Sequence, residues 1–261
     1  MQTYTKQELI DELIKIKNSD WIKNARPGNA GGIGNTLEDL LGIEENNLPI
    51  PNAAEWELKT GRLNTTALTT LFHMEPSPRT LRFVPKIFLL KYGWPHKFAG
   101  SRYPENEMSF RQTIHGKGRS DRGFCVEVDQ DNEIIKISFD SSKVDEKHSD
   151  WLQSVSERVG LSELSPQPYW GYEDLLHKAG TKLLNTFYIQ AEVKRVDGEE
   201  YYKYTRIQML QKLNFKKFLD AIINAQILVD FDARTGHNHG TKFRMRQNAL
   251  PALYKTVTEI G

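Results

Sequence analysis

The stretch "NTFYIQAEVKRVDGEEYYKYTRIQML", residues 185–210, restricts the fold of this chain more than any other segment. Apolar and polar residues alternate on both sides of Asp197-Gly198, a dipeptide suited to a tight two-residue turn, so the stretch reads as two long strands of one hairpin. Further strands are expected around 54–60, 67–73, 123–129 and 133–140, the last two joined through "QDN", and at "ILVDFDAR", residues 227–234. Helical periodicity is expected over residues 6–19, after the proline-punctuated "SPQPYWGYEDLLHKAGTKL", and over 213–225. "TLEDLLGIEE" opens another helix, with Thr36 and Asp39 spaced as a capping box and Leu37, Leu40 and Leu41 as its buried stripe. No internal repeat or low-complexity tract interrupts the pattern. The class is mixed α/β, of the α+β kind.

At 261 residues the chain is long enough for one large domain or two lobes. No stretch approaches the roughly 20 apolar residues that span a bilayer. The first residues read as an acid-containing amphipathic helix rather than a signal peptide, so a cytoplasmic protein with no membrane partner is expected. The single cysteine, Cys125, excludes an intrachain disulfide and a multi-cysteine zinc site, and reads as small buried filler.

The net charge is +1, yet its distribution is uneven. Between Glu75 and Glu105 there is no acid, while six lysines and arginines interleave with aromatic residues. Between Asp232 and Glu259 acids are again absent, and Arg234, Lys242, Arg244, Arg246 and Lys255 accumulate beside His237 and His239. Two such stretches suit the walls of an electropositive cleft for nucleic acid; the plainer alternative is two solvated surfaces.

"NAAEWELKTG", residues 52–61, carries the chemistry. At strand period Glu55, Glu57 and Lys59 share one face, and Trp56 and Leu58 anchor the other. Two carboxylates and an ammonium in a row cost desolvation, and phosphodiester hydrolysis is a reaction that uses such a row. Glu57 supplies a metal ligand and Lys59 a cation for the attacking water. Glu38, on the preceding helix, adds a third group. As a bare pattern, E-x-K is more often a surface ion pair. The glycines of "GNAGGIGN" lack the Lys-Ser/Thr of a P-loop, and read instead as a loop able to pass close to another backbone.

"GNAGGIGNTLEDLLGIEENNLPIPNAAEWELKTG", "YYKYTR" and "DARTGHNHGTKFRMR" together resemble the MvaI/BcnI family of type II restriction endonucleases, related to the mismatch-repair nuclease MutH. The resemblance covers nearly the whole chain. It implies a restriction-endonuclease-like PD-(D/E)xK core with a second DNA-recognition lobe forming a cleft. The catalytic lobe is then expected over residues 1–165 and the recognition lobe over 166–261. It also implies a monomer that hydrolyses double-stranded DNA, one strand per binding event, at a short near-palindromic G·C-rich site of the CCWGG or CCSGG kind. Mg²⁺ is the implied cofactor and a DNA methyltransferase the implied genetic companion. Carried over by position, the catalytic set is Glu38, Asn52, Glu57 and Lys59, with Glu38, Asn52 and Glu57 holding the metal.

Asn52 departs from the pattern, because the family places an aspartate there. A neutral amide offers an oxygen without a charge, so metal should bind weakly. Three readings remain: a variant inactivated to trap uncut DNA, a natural variant compensated by Glu55 or Glu38, or a correspondence displaced by a residue or two. For DNA contact the candidates are Asp232, Arg234, His237, His239, Lys242, Arg244 and Arg246, with arginines suited to guanine and Asp232 to the cytosine amino group. Lys117 and Arg119, in "HGKGRSDR", form an expected phosphate clamp. A nicking repair nuclease like MutH and a non-catalytic DNA-binding protein are the alternatives.

Overall fold

The computed structural model describes residues 4–28, 31–43, 56–63 and 65–261. Along the chain run α1 (Lys6–Lys17), β1 (Ile22–Lys23), α2 (Gly32–Leu40), β2 (Glu57–Arg62), β3 (Leu68–His73), α3 (Leu89–Tyr92), β4 (Trp94–Pro95), β5 (Met108–Ile114), β6 (Arg122–Asp129) and β7 (Ile134–Val144). They are followed by α4 (Ser149–Val159), β8 (Tyr169–Gly171), α5 (Tyr172–Leu183), β9 (Asn185–Val196), β10 (Glu199–Leu213), α6 (Phe215–Ile223), β11 (Ile227–Arg234), β12 (His237–Asn238), β13 (Lys242–Arg246) and β14 (Tyr254–Glu259). The class is mixed α/β, as the alternation and helical periods require. Among the described residues no helix is long and apolar enough to cross a membrane.

Two compact units share the chain: Met1–Thr69, Lys178–Lys217 and Arg246–Gly261 in the first, Thr70–His177 and Phe218–Met245 in the second. The single boundary expected near residue 165 falls inside the second unit. The cause is the parallel pairing of β2 with β9, which aligns Glu57 with Thr186 and Lys59 with Tyr188. Parallel neighbours need a crossover, and here the crossover contains most of a second unit.

In the first unit the sheet order is β1-β10-β9-β2, with β14 added to β10. The β9–β10 hairpin turns at Asp197 and Gly198, which both take positive φ (52° and 82°). Leu9 and Leu13 of α1, with Leu37 and Leu41 at and just after α2, join Trp56, Leu58, Phe187, Tyr202 and Tyr204 in one buried cluster. Burying an aromatic or leucine side chain in this way contributes about 1.5–3 kcal/mol each.

The helix expected to start at Thr36 begins at Gly32. A Cβ at Gly32 would stand 2.6 Å from the Tyr202 hydroxyl, so glycine lets α2 lie directly against β10. Thr36 is therefore interior to the helix and accepts from the Ala25 amide at 3.2 Å. Asp39 pairs with Arg26 at 2.6 Å, and the capping box does not form. Leu40, expected in the buried stripe, is 46% exposed.

The second unit holds the sheet β3-β13-β11-β5-β4, with β12 on β11, and the three-stranded sheet β6-β7-β8. Burial along β11 alternates strictly, with Ile227, Val229, Phe231 and Ala233 inward. Phe231 meets Phe88 and Phe110, whose rings stack at 4.7 Å. Phe124 and Phe139, 5.0 Å apart, extend this aromatic core into the smaller sheet. Cys125 is buried, as a filler residue would be.

Candidate functional site

The first unit supplies a carboxylate between two ammoniums. Glu57 and Lys59 share one face of β2, as the strand period requires, and Glu57 is buried. The Glu57 Oε1 lies 3.1 Å from Lys59 Nζ, two residues along the strand and therefore on the same side. Its Oε2 lies 3.9 Å from Nζ of Lys182, which α5 presents. That oxygen is buried and, among the described residues, has no hydrogen-bond partner. A buried carboxylate oxygen without a hydrogen-bond donor is costly, and a nearby cation lowers that cost.

Beside Glu57 in register, Thr186 shares a 2.9 Å hydrogen bond with the Tyr254 hydroxyl. Burial pushes the Tyr254 phenol far above its ordinary value, and the Glu57 charge adds to the rise, so the group stays neutral.

Glu38 sits on α2. A Cβ at Gly34, one turn earlier, would meet Thr60 Oγ1 of β2 at 3.2 Å. Helical spacing thus puts Glu38 on the face of α2 turned toward β2. Asn52 and Glu55 lie outside the described residues. Among the described residues no three acidic, histidine or cysteine side chains converge as a metal centre. The donor chemistry nonetheless fits a hard divalent cation, since a carboxylate oxygen lacking a donor is what Mg²⁺ takes.

The second unit supplies an open charged face. Even-numbered residues of β11 and β13 point away from the aromatic core, which gathers Asp230, Asp232, Lys242 and Arg244 with Arg111 and Thr113 of β5. Asp232 is 3.4 Å from Arg111 and 3.7 Å from Lys242. Asp230 is 3.3 Å from Arg244 and accepts from Thr113 at 2.7 Å. With Thr70 these groups line a depression of about 580 Å³.

Of the expected DNA contacts, Asp232, Lys242 and Arg244 are brought together here. Arg234 shares their strand, but donates to Glu107 at 2.9 Å and lies over the Tyr103 ring. His237 and His239 are exposed in the following turn, their rings 4.2 Å apart. Arg119 donates to the Gly123 carbonyl at 2.9 Å and pairs with Glu127 at 3.3 Å, tying its own hairpin, while Lys117 is exposed. Arg246 is exposed where the chain returns to the first unit.

Lys182, Arg111, Thr113 and Asp230 were missed by sequence reasoning. Strand alternation in "MSFRQTI" and "ILVDFDAR" could have singled out the last three. Nothing local marks Lys182, because only the parallel crossover brings α5 to β2.

The model of the MvaI/BcnI restriction endonuclease family matches residues 10–254. The chain belongs to that family. A solved complex of restriction endonuclease MvaI with its cognate DNA substrate superposes with a TM-score of 0.76 at 24% identity, covering 99% of this chain and 100% of that one. A structure of MvaI in the absence of DNA gives 0.57 at 23% identity, covering 100% of both chains. These likenesses establish a restriction-endonuclease-like fold. No curated protein matches the chain. Membership of the MvaI/BcnI family makes the activity class that of a sequence-specific DNA endonuclease.

Proposed function

We propose that the chain is a Mg²⁺-dependent type II restriction endonuclease. It acts as a cytoplasmic monomer on duplex DNA at a short, near-palindromic G·C-rich site of the CCWGG or CCSGG kind, with a companion methyltransferase in the same host. The observation that carries this reading is the buried Glu57 carboxylate, with one oxygen beside Lys59 and the other, among the described residues, left without a hydrogen-bond donor. The DNA named with the MvaI complex supports duplex DNA as the substrate.

Glu57, Glu38 and the side chain at position 52 are the residues that would hold magnesium, which when bound would supply positive charge at the scissile phosphate and the departing 3′ oxygen. The Lys59 ammonium, fixed by Glu57 at 3.1 Å, orients the attacking water and stabilises the negative charge that develops on it. Lys182 adds a second positive charge where negative charge builds. Arg244 donates to guanine and Asp232 accepts from the cytosine amino group, each exchanging a protein ion pair for a base edge.

Asn52 weakens this machinery by removing one formal charge from the metal set. Incubating plasmid and Mg²⁺ with this chain and with its Asn52→Asp form tests the reading. Slow or absent cutting by the first and site-specific linearisation by the second is expected. Site-specific binding without cutting by either form would establish a non-catalytic DNA-binding protein instead. Nicking that never proceeds to linear product would favour a MutH-like repair nuclease.

A further inference from the structure

We propose that the turn Arg79–Arg82 and the groove beside it form a backbone clamp for duplex DNA, gripping phosphates rather than reading bases; this rests on the reading of the chain as a DNA endonuclease. The groove has a volume of about 480 Å³, with Phe83, Pro85 and Leu89 along its apolar part and Arg79, Arg82 and His237 among its polar lining. It is continuous with the turn that follows β11, the strand carrying Asp232.

The charges around this groove divide into two kinds. Glu75 is committed within the protein: it accepts from the Thr241 amide at 2.9 Å, the Thr241 hydroxyl at 3.1 Å and the Asn238 side chain at 3.3 Å. Arg234 is likewise committed to Glu107. Arg79 and Arg82 are exposed, and among the described residues no carboxylate pairs with either. No acid follows Glu75 until Glu105, so nothing within this stretch neutralises them.

Arg82 also takes the left-handed conformation (φ 50°, ψ 55°), which glycine or asparagine would adopt with less strain. The fold therefore holds a long cation at a position that backbone preference alone would give to another residue. Exposed, unpaired guanidinium groups beside a shallow apolar surface complement a strand of phosphates joined by sugars. Bases need a precise edge-by-edge match, which two exposed arginines on one turn do not provide.

The test measures affinity of the full chain and of Arg79→Ala/Arg82→Ala for a cognate and a scrambled duplex, without Mg²⁺, over a range of salt concentrations. The double variant should lose affinity by the same factor on both duplexes. The slope of log affinity against log salt should become shallower by roughly 1.8, about 0.9 for each phosphate contact removed. A superposable thermal melt of the double variant would confirm that the fold is retained. An unchanged slope would overturn the clamp, and so would a loss confined to the cognate duplex. A parent chain that binds neither duplex would overturn both the clamp and the endonuclease reading, whereas normal parent binding with an insensitive variant removes the clamp alone.

Discussion

The Glu57 site and the face of β11 and β13 use the same strand alternation to opposite ends. At Glu57 the carboxylate is withdrawn from water, holds one lysine closely and, among the described residues, leaves an oxygen without a hydrogen-bond donor. On the open face each aspartate engages cationic or hydroxyl neighbours across the strands. The difference teaches what each region is prepared for. An unsatisfied buried oxygen is a standing cost that an incoming cation relieves, whereas mutually held surface charges exchange partners at little net cost.

The sharpest break in the comparison is expected at Lys59. In the Asn52→Asp form, Lys59→Ala should lower cleavage by about 10²–10³-fold, the usual range for a lost preorganised donor to developing charge, while duplex affinity changes little. Single-turnover cleavage with parallel gel-shift titration separates the two quantities, and an equal fall in both would move Lys59 to the binding surface. On the other region, Arg244→Ala or Asp232→Ala should cost about 1–3 kcal/mol on the cognate duplex and almost nothing on a scrambled one. Equal losses on both would make these residues phosphate contacts.

Metal affinity sharpens the contrast next. Calorimetric titration of DNA-bound protein with Ca²⁺ should show at least about tenfold tighter binding after Asn52→Asp, since a charged ligand replaces a neutral one. Identical isotherms would place Asn52 outside the metal set. The smallest effect concerns an ion pair belonging to neither region. The Arg195 hydrogen bond holds the Glu200 carboxyl below its ordinary value, against an opposing contribution from burial and with help from the Tyr202 hydroxyl. A lowered folded value gives stability above the unfolded carboxyl's range and loses it as pH falls through the folded value. Glu200→Gln should therefore flatten the thermal-stability profile only below pH 4.5; an unchanged acid limb would show the pair to be energetically silent.

Much of the fold was legible because its signals are local. The Asp197-Gly198 turn, the alternation of "ILVDFDAR" and the helical period after Thr5 all correspond to observed elements. The start of α2 was not, because glycines that admit Tyr202 read by themselves as loop. The E-x-K spacing marked Glu57 and Lys59 as neighbours, but not that Glu57 is buried, since burial follows from the covering elements. Lys182 and the division into units share one cause, the β2–β9 crossover, which no local pattern records.

That crossover also sets a timetable for the molecule as it is made. The surroundings of Glu57 draw on Thr186 from β9 and on Tyr254 at the start of β14. A chain emerging from the ribosome cannot enclose the Glu57 carboxylate until Tyr254 has been translated, by which point every residue of the second unit already exists. Synthesis thus completes the face proposed to read bases before the pocket proposed to break a phosphodiester bond, and a chain halted at residue 245 would carry the first without the second.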